Sequence, residues 1–188
     1  MDIEEMERDI VEASKILDLP EEIQNRAVSI LSETVESKGF AEYSENYPKK
    51  IVAAVIAITC RQAKNPRTFS EIAKALGLHR IKGVKRTVCD IVRALGIKLS
   101  PVSPVDFVPR FCEQLGLDSD IQSRAIKIIH RTEKSLVGRR PASIAATAIY
   151  IASSGTVTPR EIHAVTGVTE ITVEQISMTI RTFYPSLF

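Results

Sequence analysis

The segment 17-LDLPEEIQNRAVSIL-31 returns further along the chain as 115-LGLDSDIQSRAIKII-129. At this offset of 98 residues Leu17, Leu19, Ile23, Gln24, Arg26 and Ala27 meet Leu115, Leu117, Ile121, Gln122, Arg124 and Ala125. Two more stretches repeat: 48-PKKIVAAVIAI-58 with 141-PASIAATAIYI-151 at offset 93, and 68-TFSEIAKALGL-78 with 158-TPREIHAVTGV-168 at offset 90. The shrinking offset means shorter loops in the second copy. A period of about 90 residues is too long for a solenoid unit. Tandem homologous domains account for it, and 188 residues hold two small ones. The copies join at 96-GIKLSPVSPVD-106, which carries Gly96, Pro101 and Pro104 and little helical pattern. The expected division is a first repeat over 1–98, a linker over 99–103 and a second repeat over 104–188.

Within each copy the periodicity is helical. Ile23, Ala27, Ile30, Leu31 and Val35 recur as on one face of a helix. Pro20, Glu21 and Glu22 suit a helix start, and Ser103-Pro104-Val105-Asp106 opens the second copy in the same way. The segments 51–62 and 144–153 are apolar all round and rich in Ala, as in a helix enclosed by neighbours. Five helices per copy are predicted, at 3–17, 20–38, 48–64, 69–77 and 81–95, then 104–115, 119–136, 141–153, 159–166 and 170–183. No run alternates with period 2, so the fold class is all-α with no sheet.

Composition narrows the function. The longest apolar run, 51-IVAAVIAIT-59, is too short to span a bilayer, and the acidic N-terminus is unlike a signal peptide. No membrane role is therefore expected, and the location expected is cytoplasmic in an archaeal cell or nuclear in a eukaryotic one. Cys60, Cys89 and Cys112 lie far apart, which argues against a zinc site or disulfide framework and treats all three as small core residues. His79, His130 and His163 are scattered, and no Gly-rich phosphate loop, HExxH or GxSxG occurs, so neither an enzyme nor a cofactor is expected. The net charge of +2 is unevenly spread. Residues 1–40 hold 11 acids and 4 bases, residues 41–100 hold 4 acids and 12 bases, and residues 101–188 hold 8 acids and 9 bases. The basic middle block favours a polyanionic partner.

The end of each copy reads as a helix-turn-helix. Thr158 and Glu161 form a capping-box pattern, Gly167 sits where the turn needs a permissive backbone, and Thr169 caps a second helix anchored by Val173 and Ile176. The equivalent 68-TFSEIAKALGLHRIKGVKRTV-88 has the same parts with one extra residue before Val84. On and before its second helix the first copy offers Arg80, Lys82, Lys85 and Arg86, suited to phosphates and base edges. The second copy offers Thr172, Glu174, Gln175 and Ser177. Gln175 is able to bond an adenine, whereas Glu174 faces phosphate repulsion unless it accepts from a cytosine amine. Arg139 and Arg140 precede Pro141 at a helix N-terminus, a second place for phosphate.

The repeats resemble the core of archaeal transcription factor B and eukaryotic general transcription factor IIB. The resemblance is carried by 104-PVDFVPRFCEQLGL-117, 124-RAIKII-129, 145-AATAIYIAS-153 and 159-PREIHAVTGVTEITV-173, and by 52-VAAVIAITCRQAKNPRTFSEIA-73 in the first copy. It implies two tandem cyclin-like five-helix domains. It further implies a monomeric, non-enzymatic core that binds TATA-binding protein on bent promoter DNA and helps to place RNA polymerase. Polymerase recruitment in that family involves a Cys-rich zinc ribbon, for which this sequence has no counterpart. Matched to the family's recognition helix, Ile171, Thr172, Val173 and Gln175 agree, while Glu174 stands where Arg is usual. The connection 152-ASSGTVTPR-160 is also shorter than usual. The expected DNA contacts are thus Lys82, Lys85, Arg86, Arg139, Arg140, Ile171, Thr172 and Gln175. The alternative reading is a cyclin-like protein-interaction module or regulatory paralog without upstream-element reading.

Overall fold

The structure, a computed structural model, describes residues 3–37, 40, 47–78 and 82–187. Among these residues there are ten α-helices and no strand. The chain divides into two compact units, Met1–Pro101 and Val102–Phe188, each with its own core. Leu99 packs on the first core and Val102 on the second.

The first unit contains α1 (Ile3–Ile16), α2 (Glu21–Glu36), α3 (Pro48–Gln62), α4 (Phe69–Ala75) and α5 (Val84–Ala94). α3 is the enclosed helix: from Ile51 to Cys60 every residue is buried except the half-buried Ala57. Helices α1, α2, α4 and α5 all pack against it. The small Ala53 and Ala54 let them approach, and each buried Ile or Val contributes about 1.5–3 kcal/mol. The second unit repeats the plan. A 3-10 turn (Pro104–Phe107) leads into α6 (Val108–Gln114), followed by α7 (Ser119–Thr132), α8 (Pro141–Ala152), α9 (Pro159–Thr166) and α10 (Glu170–Phe183). Here α8 is enclosed, with Ala142 to Ala152 buried except for Tyr150.

The repeat extends to hydrogen bonds. Thr34 and Thr132, 98 residues apart, are both fully buried near the ends of α2 and α7. Each hydroxyl donates to the carbonyl four residues back, Ile30 at 2.6 Å and Ile128 at 2.8 Å. That removes the cost of a buried, unpaired hydroxyl.

Several predicted boundaries shift. α2 begins after Pro20, which serves as its N-cap residue, and ends at Glu36, where Ser37 turns extended. α5 begins at Val84 rather than 81, because Gly83 stands at φ +83, a left-handed conformation that ends the preceding turn; residues 79–81 lie outside the described residues. The helix predicted over 104–115 is split. Pro104 and a Ser103–Asp106 capping box tighten its first turn into 3-10 geometry, and Pro109 restarts it as α6. The helix predicted to 136 becomes α-helical to Thr132 and 3-10 over Glu133–Leu136. α9 and α10 run as predicted. Cys89 corrects the reading of three core cysteines: Cys60 and Cys112 are buried, but Cys89 is exposed on α5.

Candidate nucleic-acid interface

Each repeat ends in two helices, the first of which opens with the same capping box in both. Thr158 N–H donates to Glu161 Oε2 at 2.7 Å, and Glu161 N–H returns to Thr158 Oγ1 at 3.3 Å. The Thr158 N–H first, and then the Thr158 hydroxyl donating to the same Oε2 at 2.8 Å, hold the Glu161 carboxyl below the usual carboxylate range. Thr68 and Glu71 repeat the box at the start of α4, at 2.7 and 3.2 Å. Gly167, at φ +68, closes α9 by donating its N–H to the His163 carbonyl at 2.9 Å. His163 is exposed and its Nδ1–H donates to the Val168 carbonyl at 3.1 Å. Two residues past Gly167, Thr169 caps α10 by accepting from Thr172 N–H at 3.3 Å.

The buried faces of α5 and α10 fix their alignment. Val84, Thr87, Val88 and Ile91 are buried on α5, and Val173, Ile176, Ser177 and Ile180 are buried on α10, at a constant offset of 89. The opposite faces then correspond as well. Lys82, Lys85, Arg86, Cys89 and Arg93 are exposed, and so are their counterparts Ile171, Glu174, Gln175, Met178 and Thr182. At these five matched positions one scaffold therefore presents two chemistries, four cations in the first repeat and one anion with no cation in the second.

On α5, Arg86 and Arg93 both approach Asp90, at 4.0 and 3.8 Å, with side chains 90% and 82% exposed. Pairs this exposed contribute 1 kcal/mol or less and leave the guanidinium groups open to a phosphate. Lys85 and Arg86 also occupy the first turn of α5, where positive charge opposes the helix dipole. Their placement works against local helix stability, as expected of groups held for a partner.

On α10, the predicted contacts separate. Ile171 and Gln175 face outward. Thr172 is half-buried and its hydroxyl lies 2.8 Å from Thr169 Oγ1, so it serves the cap. Ser177 faces the core, which removes it from the outward set. Arg139 and Arg140 are exposed ahead of α8. They follow a tight turn in which Val137 adopts φ −55 and ψ 132, Gly138 adopts φ +86, and Arg139 N–H donates to the Leu136 carbonyl at 3.1 Å. This is type II geometry. Pro141 has no N–H, and the Ser143 and Ile144 N–H groups donate to the Arg140 carbonyl at 3.0 and 3.1 Å, so the donors presented at the start of α8 are chiefly the two guanidinium groups. Arg80 and His79 lie outside the described residues.

Sequence reasoning passed over Arg93 and Met178, although the spacing from Val84 and Val173 places both on the outward stripe. It also passed over Arg67. This buried guanidinium donates to the Leu17 carbonyl at 2.9 and 3.2 Å and to the Asp18 carbonyl at 3.3 Å, tying the end of α1 to the α3–α4 connection. Its counterpart at offset 90 is Val157, buried without any polar group. Nothing in the sequence distinguishes Arg67 from the other bases of its block.

The sequence profile described as transcription factor TFIIB repeat matches the chain twice, over residues 1–94 and 97–186. The chain belongs to the transcription factor IIB family. This is a family of transcription factors and not of enzymes. Among its curated relatives, transcription initiation factor IIB of Archaeoglobus fulgidus is 41% identical over 162 residues, which is 84% of this chain and 48% of that protein. Transcription initiation factor IIB of Methanocaldococcus jannaschii is 42% identical over 162 residues, 84% of this chain and 24% of that protein. That of Methanococcus maripaludis is 42% identical over 166 residues, 86% and 48% respectively. The chain thus spans about half or less of the length of these relatives. Among the described residues no helix is long and apolar enough to cross a membrane.

Proposed function

We propose that this chain forms the promoter-engaging core of a transcription initiation factor, binding TATA-binding protein together with the DNA that flanks the TATA box. The single observation that carries the reading is the cationic outward face of α5, Lys85, Arg86 and Arg93, with Lys82 in the turn just ahead of it, on a helix-turn-helix within a transcription factor IIB repeat. In this reading Lys82, Lys85 and Arg86 hold phosphates, and Arg139 and Arg140 hold another at the start of α8. Ile171 and Gln175 face bases, and Thr172 fixes the turn that presents them. The core acts as a monomer in the compartment that holds the genome, the cytoplasm in an archaeal cell, and needs neither metal nor cofactor. Placement of RNA polymerase requires more than these two repeats, a zinc ribbon in particular.

A second reading, a protein-interaction module without DNA contact, is favoured by one observation: the exposed α10 face carries Ile171, Glu174 and Met178, with no cation before Arg181 in its last turn. A gel shift on TATA-bearing DNA, with and without TATA-binding protein, separates the two. The promoter reading expects a slower ternary band on TATA-bearing DNA that weakens steeply with salt. Absence of any ternary band at low salt supports the second reading.

A further inference from the structure

The repeat matches α7 to α2 at a constant offset of 98. Ile23, Ala27, Ile30, Leu31 and Thr34 are buried on α2, and Ile121, Ala125, Ile128, Ile129 and Thr132 on α7. The outward positions therefore correspond too. Arg26, Ser29, Glu33 and Glu36 are exposed on α2, and their counterparts Arg124, Lys127, Arg131 and Lys134 are exposed on α7 and the 3-10 turn that follows it. On α2 these groups satisfy one another. Arg26 Nη1 donates to Ser29 Oγ and to Glu33 Oε1, each at 3.2 Å, and Ser29 Oγ donates to the same carboxylate oxygen at 3.0 Å. On α7 all four positions are cationic, so none accepts from another. The ion pairs among the described residues involve none of the four. Like charges three and four residues apart repel. The helix dipole favours Arg131 in the last turn, but not Arg124 or Lys127 further back.

Two features indicate the partner. The row continues into the turn before α8: residues 124–140 hold six cations, Arg139 and Arg140 included, and one acid, Glu133. Among the described residues, no large apolar side chain is exposed on α7. A protein interface is built around an apolar centre from which charges are depleted, whereas a duplex backbone takes cations alone. Arg124 and Lys134 lie roughly 15 Å apart along the helix, and one strand of a duplex presents about four phosphates over that length. We propose that Arg124, Lys127, Arg131 and Lys134 form a DNA-backbone site on the second repeat, outside both helix-turn-helices, which extends the phosphate contacts of Arg139 and Arg140 along the flanking duplex. This rests on the promoter reading above. The stripe reads no bases; it adds affinity to the larger share that α5 supplies.

The test measures the complex of the full chain with TATA-binding protein on TATA-bearing duplex. In Lys127→Ala/Arg131→Ala affinity is expected to fall about fivefold, and the slope of log affinity against log salt by about 1–2. Lys127→Ser/Arg131→Glu/Lys134→Glu gives α7 the residues of α2. Its loss of affinity is larger, while the isolated chain melts at the same temperature or higher, because Arg124 gains the partners that Arg26 has. Duplexes with uncharged methylphosphonates in successive windows of the flanks locate the contact. One window is expected to weaken the unmodified chain and to leave the alanine variant unaffected. Unchanged affinity and slope in both variants overturn the inference while the promoter reading stands. So does a loss of affinity with an unchanged slope and the same response to every window as the unmodified chain, since α7 then faces TATA-binding protein. If the unmodified chain forms no complex on TATA-bearing duplex, the promoter reading fails, and this inference with it.

Discussion

Glu174 occupies the position that Lys85 holds in the first repeat, exposed in the same register on the same scaffold. A carboxylate turned toward a duplex costs binding unless a base amine donates to it, and one good base contact discriminates by only about 1–3 kcal/mol. Glu174→Arg is therefore expected to tighten DNA binding overall and to create a preference for a guanine-bearing flank, because Arg pairs with guanine through two bonds. Competition between promoters with and without such a flank, in the presence of TATA-binding protein, measures this; a variant without gain would show that Glu174 points away from the groove. The cysteines give a second expectation at this scale. Burial, with Asp118 adding to it, pushes the Cys112 thiol from its ordinary value of 9.0 to about 11. A thiol raised in this way stabilises the fold fully below its unfolded value and loses that contribution only as pH rises toward 11. Cys60 is also buried and only Cys89 is exposed. Alkylation of the native chain at neutral pH is expected to label one thiol, Cys89, and all three after unfolding, as read by mass spectrometry.

At the scale of elements, what was legible followed from short-range chemistry. The Thr158–Glu161 capping box, Gly167 and Thr169 are local devices with local signatures, so α9 and α10 run as their residues imply. The split of the helix starting at Pro104, and Gly83 as the starting point of α5, depend on how the backbone meets a packed core, and periodicity is blind to that. The outward faces became legible only once the buried residues had set the register. Arg67 was illegible because its partners are backbone carbonyls about 50 residues away. Replacing it with Met leaves the Leu17 and Asp18 carbonyls without this donor in a buried site, at an expected cost of about 2–3 kcal/mol in denaturant unfolding, whereas Val157→Ala in the second repeat loses only apolar contact. Thr158→Ala removes the α9 cap, at about 1 kcal/mol. Because the Glu161 carboxyl lies below its usual range in the fold, its share of stability is present at neutral pH and is lost as pH falls through the carboxylate range. The penalty of Thr158→Ala is expected to shrink on acidification, and a penalty independent of pH would contradict the linked cap.

For the whole molecule, the repeat predicts independence. Each unit has an enclosed helix and a complete core, so Met1–Pro101 and Val102–Phe188 expressed separately are each expected to be helical and to melt cooperatively. Charge divides the work further. The acids are concentrated in residues 1–40 and the bases in residues 41–100, and the bases on α5 line its exposed face. Nonspecific affinity for DNA is then expected to come mainly from the first repeat. The most direct test is the salt dependence of the complex with TATA-binding protein on TATA-bearing DNA, for the unmodified chain and for Lys82→Ala/Lys85→Ala/Arg86→Ala. Three lost phosphate contacts are expected to weaken binding on every sequence and to reduce the slope of log affinity against log salt by about 2–3. An unchanged affinity and slope in the triple variant would contradict the assignment of the α5 face to DNA.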